Sequence, residues 1–478
     1  MKKKLLLFLS TAVLAGFLSG CAGGEVPTEA SATQITLSGG SAQVTGGGAA
    51  VKENIVTISA AGSYRISGTL NDGQLLVDTG DDAMKVILIL DNAEITNLNG
   101  AAIQIEQADS VRIQLAEGSE NYVTSGVETD METSDGSESG AAIYSKDDLD
   151  IEGEGVLSVF GYINNGIACK NDLDINSGSI TVLAANNGLR GSDSVDIKGG
   201  TISVTAGNDG IKSTTADKEG KGYIRISGGA LSVYAQGDGI SAETELNIEG
   251  GSVFVAAAGD PAQQSSKAIK AGTGLHISGG AIQLEAADHA LHSGANLEIS
   301  GGALTAVSQE GKPIAAHGDI QISGGSLELE AAADDGIETP GNISISGGSV
   351  NIVSAKDGLQ AGEADSGLGT VTISGGTLDI CAGKKAVNAR GEFLVTGGEL
   401  MALTGADKLE GPDQGVFLAE RMSGYKGEQV SVASGGEELA SMTAAGTYSG
   451  VLYASSALEA GAEYTLSNGR NQIQASAG

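Results

Sequence analysis

Short motifs in which Asn or Asp directly precedes Gly recur along this 478-residue chain, and their side-chain oxygens are potential ligands for a cation. If the copies lie on adjacent stacked strands, the carboxylates of Asp209 and Asp238 come within about 5 Å of each other. Two such charges repel by roughly 3 kcal/mol at an effective dielectric constant of about 20, so the pattern favours a bound cation. The six copies are Asn164-Asn165-Gly166, Asn186-Asn187-Gly188, Asn208-Asp209-Gly210, Gly237-Asp238-Gly239, Asp334-Asp335-Gly336 and Lys356-Asp357-Gly358.

Calcium is the cation that these residues suit best, because it takes oxygen ligands from carboxylates, amides and backbone carbonyls. The motif also has a simpler interpretation: Asx-Gly is common turn chemistry, and stacked side chains can hydrogen-bond to one another as a ladder. The sequence leaves both interpretations open. The predicted calcium ligands are Asp209, Asp238, Asp335, Asp357, Asn208, Asp334 and Asn187, with Asp148 and Asp172 as a second set in front of a strand in two neighbouring repeats.

The remaining repeats replace both members of the motif together. Asx-Gly favours a tight turn with positive φ at Gly, a conformation that Ala and Pro do not readily adopt. The sequence therefore predicts two turn geometries along one edge of the molecule. The replacements are Lys267-Ala268, His289-Ala290, Lys312-Pro313 and Lys385-Ala386.

A sequence repeat positions these motifs. From residue 149 the pattern apolar-x-apolar-x-Gly-Gly-x-apolar-x-apolar recurs, and its second Gly returns every 22 or 23 residues with occasional insertions. Each copy holds two runs of period 2 and a third short run after the Asx-Gly motif, which predicts three strands per repeat. We therefore expect an all-β chain, a right-handed parallel β-helix solenoid with capping strands at both ends.

The N-terminus has the features of a bacterial lipoprotein signal. Three lysines at positions 2–4 precede an apolar run that is too short to span a bilayer, and Leu18-Ser19-Gly20-Cys21 matches a lipobox. We expect lipidation at Cys21, and loss of the three lysines would change the formal net charge from −34 to −37. The protein would be exported and lipid-anchored, facing the cell exterior or the periplasm, with membrane contact only through the anchor.

Composition excludes several classes of protein. Lys and Arg total 26 against 60 Asp and Glu, so the surface repels phosphates and no nucleic-acid partner is expected. Collagen is excluded because the Gly residues do not fall at every third position and Pro is scarce. Cys169 and Cys381 lie many repeats apart, so we expect both to be free packing residues in a monomer.

The points at which the repeat pattern begins and ends divide the chain into regions. We predict a signal peptide at 1–20, a flexible tether at 21–32, an N-terminal β region with the first coils at 33–123, a polar acidic loop at 124–140, the parallel β-helix at 141–410 and a C-terminal β cap at 411–478.

Aromatic residues make up only 3% of the chain, which limits where a sugar ring could stack. Tyr234 and Phe254 fall on outward positions of adjacent repeats and are, with Tyr162, the predicted glycan-binding residues, unless a loop packs over them. The other candidate rings are Tyr144, Phe160 and Tyr223.

A polysaccharide lyase would need different residues. β-Elimination requires a metal to neutralise the uronate carboxylate and a base to take the neighbouring carbon-bound proton. Arg190 and Lys212 follow the apolar residue of the third strand and are the candidate bases, although a Lys at this position more often balances nearby carboxylates.

Several ordered segments resemble a bacterial carbohydrate-binding β-helix family and together cover nearly the whole mature chain. They are Tyr64-Arg65-Ile66-Ser67-Gly68-Thr69-Leu70-Asn71-Asp72-Gly73-Gln74, Asp91-Asn92-Ala93-Glu94-Ile95, Ser145-Lys146-Asp147-Asp148-Leu149, Asn208-Asp209-Gly210-Ile211-Lys212, Tyr448-Ser449-Gly450-Val451-Leu452 and Gly461-Ala462-Glu463-Tyr464-Thr465-Leu466. The resemblance implies a right-handed parallel β-helix, similar to the pectate lyases, that binds calcium and attaches to plant-wall polysaccharide such as cellulose or polygalacturonate. Because the Lys-Ala and Lys-Pro pairs interrupt the Asx-Gly motifs, a continuous row of calcium sites is not expected.

Three functions are compatible with these observations. The first is a surface-anchored lipoprotein that binds cellulose or polygalacturonate along a face of the β-helix with the help of calcium. The second is a calcium-dependent polysaccharide lyase, and the third is a purely structural or adhesive surface protein. Saturable binding to one polymer would indicate the first, release of an unsaturated product the second, and no binding the third.

Overall fold

A computed structural model describes residues 32–127, 140–363, 367–405 and 409–478. The predicted signal peptide, Cys21 and most of the predicted loop at 124–140 lie outside these ranges. The described residues form strands and no α-helix, so the predicted all-β class is confirmed. No described segment forms a helix with the length and apolarity needed to cross a membrane.

Each repeat contributes three strands whose side chains alternate between a buried and an outward face. In the strand Ala230–Ala235, for example, Leu231 and Val233 are buried, whereas Tyr234 is exposed. Leu, Ile and Val at the buried positions of successive repeats make one continuous core. Because each fully buried aliphatic side chain stabilises the fold by about 1.5–3 kcal/mol, the core needs no large rings.

The strands pair in parallel with the equivalent strands of the next repeat. Leu173 pairs with Val195 in the first strands, Val182 with Val204 in the second, and Leu189 with Ile211 in the third. Side chains at one position of the repeat therefore form ladders with a spacing of about 4.8 Å. First and second strands belong to a 28-stranded sheet, and third strands to a 15-stranded sheet.

The Gly-Gly turn between the first and second strands depends on its second Gly. Gly229 has a φ of 85°, and a Cβ there would lie 2.8 Å from the carbonyl oxygen of Gly200 in the preceding repeat. Both the backbone conformation and the close approach of the neighbouring turn therefore restrict the position to Gly.

The Gly of the Asx-Gly motif is needed for a different reason from the one predicted. All six of these Gly residues have φ outside the positive region. A Cβ on Gly210 would instead lie 2.2 Å from Cγ1 of Val233 and 2.5 Å from the Gly239 carbonyl oxygen. The space for a side chain, rather than the sign of φ, therefore selects Gly.

The predicted alternation of two turn geometries was wrong. The backbone hydrogen bonds continue unchanged through the Ala-containing repeats: Gly239 N–H donates to the Lys267 carbonyl oxygen, and Ala268 N–H donates to that of His289. From residue 166 onward, what differs between the repeats is the residue of the next repeat's second strand that lies against the turn. Each Gly faces Val or Ile, at Gly166/Val182, Gly188/Val204, Gly210/Val233, Gly239/Val255, Gly336/Ile352 and Gly358/Ile380. In the same register Leu or Ala faces the larger residues, at Ala268/Leu284, Ala290/Ala306, Pro313/Leu329 and Ala386/Ala402.

Antiparallel strands flank the stack of repeats. At the N-terminal end Ile35 pairs with Val44 and Val51 with Val56. At the C-terminal end Leu400 pairs with Ala454, and a separate four-stranded antiparallel sheet follows with its own apolar cluster. The region boundaries given above stay predictions.

Both cysteines of the described chain, Cys169 and Cys381, are buried and free, which confirms the prediction for this pair. Burial raises the pKa of the Cys169 thiol to about 12. This thiol is therefore a packing group and not a reactive thiolate at neutral pH.

The strand bounds follow by sheet. The 28-stranded sheet contains Thr33–Gly39, Ala42–Thr45, Gly62–Leu70, Lys85–Asn97, Ser110–Leu115, Glu120–Ser125, Asp148–Gly153, Val156–Gly161, Asp172–Ile175, Ser179–Ala184, Ser194–Ile197, Thr201–Ala206, Tyr223–Ile226, Ala230–Ala235, Glu245–Ile248, Ser252–Ala257, Gly274–Ile277, Ala281–Ala286, Asn296–Ile299, Ala303–Ser308, Ile320–Ile322, Ser326–Ala331, Ile343–Ile345, Ser349–Ser354, Val371–Ala382, Phe393–Thr404, Phe417–Glu420 and Gly450–Ser455. The 15-stranded sheet contains Ala49–Lys52, Ile55–Ile58, Gln74–Asp78, Ile103–Gln107, Ile143–Ser145, Ile167–Cys169, Leu189–Gly191, Ile211–Ser213, Ile240–Ala242, Ile269–Ala271, Leu291–Ser293, Ile314–Ala316, Ile337–Thr339, Leu359–Ala361 and Val387–Ala389. The four-stranded sheet contains Gln429–Ser434, Glu437–Thr443, Glu463–Ser467 and Gln472–Ser476.

Candidate functional site

The Asx side chains form a hydrogen-bonded ladder beside the third strands. Asn187 Oδ1 accepts from the Asp209 backbone N–H (3.2 Å) and from Asn208 Nδ2 (3.2 Å). Asp209 Oδ1 in turn accepts from the Asp238 N–H (2.8 Å) one repeat later. The turn stacks Asp209 and Asp238 on adjacent rungs, as predicted, and one oxygen of Asp209 is satisfied by backbone. These contacts are those of the hydrogen-bonded ladder that the sequence offered as an alternative to calcium.

Lysines lie over the carboxylates of this first pair. Lys212 Nζ is 2.6 Å from Asp209 Oδ2, and Lys270 Nζ is 3.4 Å from Asp238 Oδ2. The two carboxylates are only 7% and 4% exposed, whereas both lysines are partly exposed. An ammonium group therefore covers the outer side of each carboxylate, where the predicted cation would bind.

Among the residues that the structure describes, no lysine pairs with the carboxylates of the second predicted pair, Asp335 and Asp357. Asp335 Oδ1 accepts from the Asp357 N–H (2.7 Å), and Asp357 binds the side chain of Asn388 (2.9 Å). The nearby ammonium group of Lys356 contacts Asp334 (2.6 Å) and not Asp335. Burial, reinforced by neighbouring carboxylates, raises the pKa of Asp335 to about 6. The Asp335 carboxyl group therefore ionises less readily than an ordinary aspartate.

A second group of carboxylates lines a groove of about 440 Å³ on the outward face of the first strands. Asp150, Asp174 and Asp196 stand on successive strands in register. They lie next to the predicted ligands Asp148 and Asp172 but were not selected from the sequence. The period-2 pattern of the first strands was the signal that could have found them. The acidic residues of the groove are Asp109, Asp148, Asp150, Asp172, Asp174 and Asp196, and its basic residues are Lys85, Lys198 and Arg225.

Charge repulsion and ion pairs coexist in this acidic groove. Burial raises the pKa of Asp148 and Asp150, and the adjacent carboxylates of Asp172 and Asp174 raise these values further. Lys198 Nζ lies 2.6 Å from Asp174 Oδ2, and Arg225 forms a hydrogen bond with Asp196 Oδ2. The protein's own cations therefore neutralise part of the crowded negative charge.

One carboxylate oxygen of the groove is left without a donor. Asp196 is only 3% exposed, and its Oδ1 is buried and has no hydrogen-bond partner. An unsatisfied buried acceptor costs about 1–3 kcal/mol, more for a charged group. The carboxylates and the hydroxyl group of Ser194 are donors of the kind that calcium takes. In the part of the chain that the structure describes, no group of three or more His, Cys, Asp or Glu stands ready to hold a metal ion.

The predicted glycan-binding rings lie on the outward face of the second strands. The centroids of Tyr234 and Phe254 are 5.4 Å apart at an interplanar angle of 51°, and Tyr234 is 49% exposed. Tyr162 lies elsewhere, three repeats earlier, with its ring 5.8 Å from that of Phe160. Tyr144 is buried, so it was a wrong candidate for sugar stacking.

The candidate bases are held by neighbouring groups. The ammonium group of Lys212 donates to Asp209, and Arg190 Nη2 donates to Thr214 Oγ1 (3.3 Å). A base must reach the proton of its substrate, and the amino group of Lys212 is instead held in an ion pair with Asp209. These contacts match the interpretation that a Lys at this position balances carboxylates.

Comparison with known proteins assigns the family. Residues 52–312 and 303–478 both match the family of carbohydrate-binding domain-containing proteins. The two matches together span most of the chain, so the chain belongs to this family, and the resemblance noted in the sequence is confirmed.

Two individual proteins are similar to parts of the chain. A carbohydrate-binding domain-containing protein from Acetivibrio thermocellus is 44% identical over 137 residues, which is 29% of this chain and 48% of that protein. The chain thus spans about half the length of this curated relative. A solved structure of a polysaccharide lyase-like protein from C. thermocellum, as a gadolinium derivative, is 29% identical, covering 69% of this chain and 99% of that one with a TM-score of 0.39.

Proposed function

We propose that this protein is a surface-anchored lipoprotein that binds plant-type polysaccharide, cellulose or polygalacturonate, along one face of a right-handed parallel β-helix. The contact between the exposed ring of Tyr234 and the partly buried ring of Phe254 carries this proposal. Family membership supports carbohydrate as the ligand class. Export and lipidation at Cys21 are part of the proposal because of the lipobox.

The ring pair suits the apolar face of a sugar. The negatively polarised face of an aromatic ring attracts the C–H groups that project from one side of a pyranose. Tyr234 and Phe254 stand on adjacent strands, with Phe254 in register with Ser232. Two rings staggered along the stack would contact neighbouring sugars of an extended chain running across the strands.

Calcium belongs to this proposal as an assisting ion at the acidic groove. Asp148, Asp172, Asp174 and Asp196 are the carboxylates that would hold it, and they would have to move together, because no three acidic side chains of the described residues are placed to share a metal ion. When bound, the ion would supply positive charge to a uronate carboxylate at a surface that is otherwise strongly acidic. The Asx ladder is the weaker calcium candidate, since Lys212 and Lys270 already cover Asp209 and Asp238.

Retention on solid polysaccharide tests the proposal. The mature protein would be passed over insoluble cellulose and over polygalacturonate coupled covalently to beads, so that a chelator does not dissolve the matrix. The double variant Tyr234→Ala/Phe254→Ala should lose at least tenfold in affinity for cellulose, and Tyr122→Ala should not. Tyr122 is a fair control because it is also an exposed ring on a second strand.

The outcomes separate the parts of the proposal. No retention of the wild-type protein on either polymer would overturn glycan binding. Equal loss in the double variant and in Tyr122→Ala would show that the ring pair is not the contact surface. Retention on polygalacturonate that persists in chelator would remove calcium from the proposal and leave the rest intact.

A further inference from the structure

Five neighbouring second strands of the described chain present no charged side chain on their outward face. The outward side chains are those of the first, third and fifth residues of each strand, and none of them is buried. The chain has a formal net charge of −34, so this surface, the uncharged face, differs from the rest of the molecule. Its strands are Val156–Gly161, Ser179–Ala184, Thr201–Ala206, Ala230–Ala235 and Ser252–Ala257.

Carboxylates mark both ends of the uncharged face. On the strand before it, Tyr122 lies beside Glu120, and the tyrosine hydroxyl group donates to that carboxylate (3.3 Å). On the strand after it Glu285 points outward, and Glu328 and Glu330 follow two repeats later. The face therefore has a defined length of about 19 Å from its first strand to its last.

Two rows of side chains run along the uncharged face, across the strands. One row has an aromatic ring at each end, Phe160 and Tyr234, which are three rungs or about 14 Å apart. The other row consists of four hydroxyl-bearing side chains and ends at Phe254. Rings that can stack on sugars therefore lie beside hydroxyl groups that can hydrogen-bond with them. The four hydroxyl-bearing residues are Ser158, Thr181, Ser203 and Ser232.

We propose that the uncharged face binds an uncharged polysaccharide chain lengthwise and excludes polyuronates. This inference rests on the carbohydrate-binding part of the proposed function and narrows the ligand class of that site. Every sugar of a polyuronate carries a carboxylate, and burial of a charge without a partner costs far more than burial of a hydroxyl group that keeps its hydrogen bonds. The outward positions of the face hold no ammonium or guanidinium group for such a carboxylate. Serine and threonine, in contrast, both donate to and accept from the hydroxyl groups of an uncharged sugar.

High salt separates this local exclusion from the general repulsion between an acidic protein and a polyanion. At 1 M salt, exposed charges more than about 3 Å apart are largely screened from each other. The cost of burying an unpaired carboxylate against the face remains, because it arises in the contact itself. Discrimination against a charged chain should therefore persist at 1 M salt.

Retention of the full mature protein on two matched forms of cellulose tests the exclusion. One is insoluble cellulose, and the other is the same cellulose with its surface primary hydroxyl groups oxidised to carboxylates. In 1 M salt with a chelator, the wild type should bind the unmodified cellulose about tenfold or more tightly than the oxidised cellulose.

A pair of glutamate substitutions tests the location of the site. Ser203→Glu places a carboxylate at the centre of the hydroxyl row and should weaken binding to unmodified cellulose about tenfold or more. Thr305→Glu is the matched control, because it changes the same position of the repeat outside the face and should bind as the wild type does. Glu328 stands in register with Thr305, so this position accepts glutamate without loss of the fold. Phe160→Ala should also weaken binding, because it removes the ring at the far end of the face.

The outcomes separate this inference from the proposed function. Retention of the wild type on neither cellulose nor polygalacturonate beads would overturn both, whereas retention on polygalacturonate alone would overturn only this inference. Equal affinity of Ser203→Glu and Thr305→Glu for cellulose would show that the glycan binds elsewhere on the molecule. Equal affinity of the wild type for unmodified and oxidised cellulose in 1 M salt would overturn the exclusion of polyuronates.

Discussion

Two stretches of the Asx ladder place a buried aspartate at the same position of the repeat but surround it with different charges. At Asp209 and Asp238 one oxygen accepts a backbone N–H and the other faces a lysine. At Asp335 the backbone contact is the same, but no ammonium group of the described chain pairs with the carboxylate, and its pKa rises to about 6. The backbone of the turn donates a hydrogen bond to only one carboxylate oxygen, so the group that faces the other oxygen determines how well the negative charge is compensated. A ladder position is therefore a structural element first and a cation site only where its second oxygen is free.

Removing the lysine from the first stretch should produce the largest effect. Lys212→Met leaves Asp209 buried without its ammonium partner, and we expect a loss of about 3 kcal/mol in the free energy of unfolding. Thermal or denaturant unfolding measures this loss. The double variant Asp209→Asn/Lys212→Met should recover most of it, because Asn occupies the equivalent position at Asn187. Equal stability of Lys212→Met and wild type would mean that water already solvates Asp209.

Filling the turn should disturb both stretches to a similar, smaller extent. Gly210→Ala would place a Cβ against Val233 and the Gly239 carbonyl oxygen, and we expect a loss of about 2 kcal/mol from overpacking. Gly336→Ala should cause a similar loss, because its Cβ would press against Ile352 in a turn of the same geometry. Ala268→Gly is the control and should cost no more than about 1 kcal/mol. A loss in one stretch only would show that the two turns differ after all.

Neutralising the second stretch should stabilise the protein slightly. The folded-state pKa of Asp335 lies above the ordinary value, so its contribution to stability is fully present below about pH 4 and is lost as the pH rises through about 6. Asp335→Asn should therefore raise stability at pH 7 by about 1–2 kcal/mol and flatten the dependence on pH between these limits. Unfolding curves at pH 4 and pH 7 check this. A variant less stable than wild type at pH 7 would contradict the assignment and point to a bound cation at Asp335.

The sequence was sufficient to predict which equivalent residues stack, but not which side chains cover them. Period-2 alternation and the Gly-Gly spacing predicted the parallel ladders, and with them the adjacency of Asp209 and Asp238. That Lys212 balances nearby carboxylates was one of the two interpretations of this residue, but its contact with the outer oxygen of Asp209 could not be derived, because the side chain turns back three residues along a tight turn. The reason for Gly in the motif was missed too, since it depends on Val233, which is brought there by the next repeat.

The acidic groove shows the same limit. Asp148 and Asp172 were selected as turn residues, whereas Asp150, Asp174 and Asp196 are read as a set only when the strands are aligned in register. Their carboxylates fall on one face because the intervening residues point into the core. The ion pair between Lys221 and Asp172 could not be predicted, because an insertion in a repeat predicts a loop but not the direction in which that loop folds.

The pairing of each strand with the next repeat also determines how the molecule would respond to force. A folded repeat occupies about 4.8 Å along the stack, whereas its 22 residues span on the order of 75 Å when fully extended. Tension applied at the N-terminal end would therefore detach one repeat at a time, and each detached repeat would lengthen the molecule by roughly 70 Å. A protein built in this way would absorb a pull on its ligand in steps while the remaining repeats keep their structure.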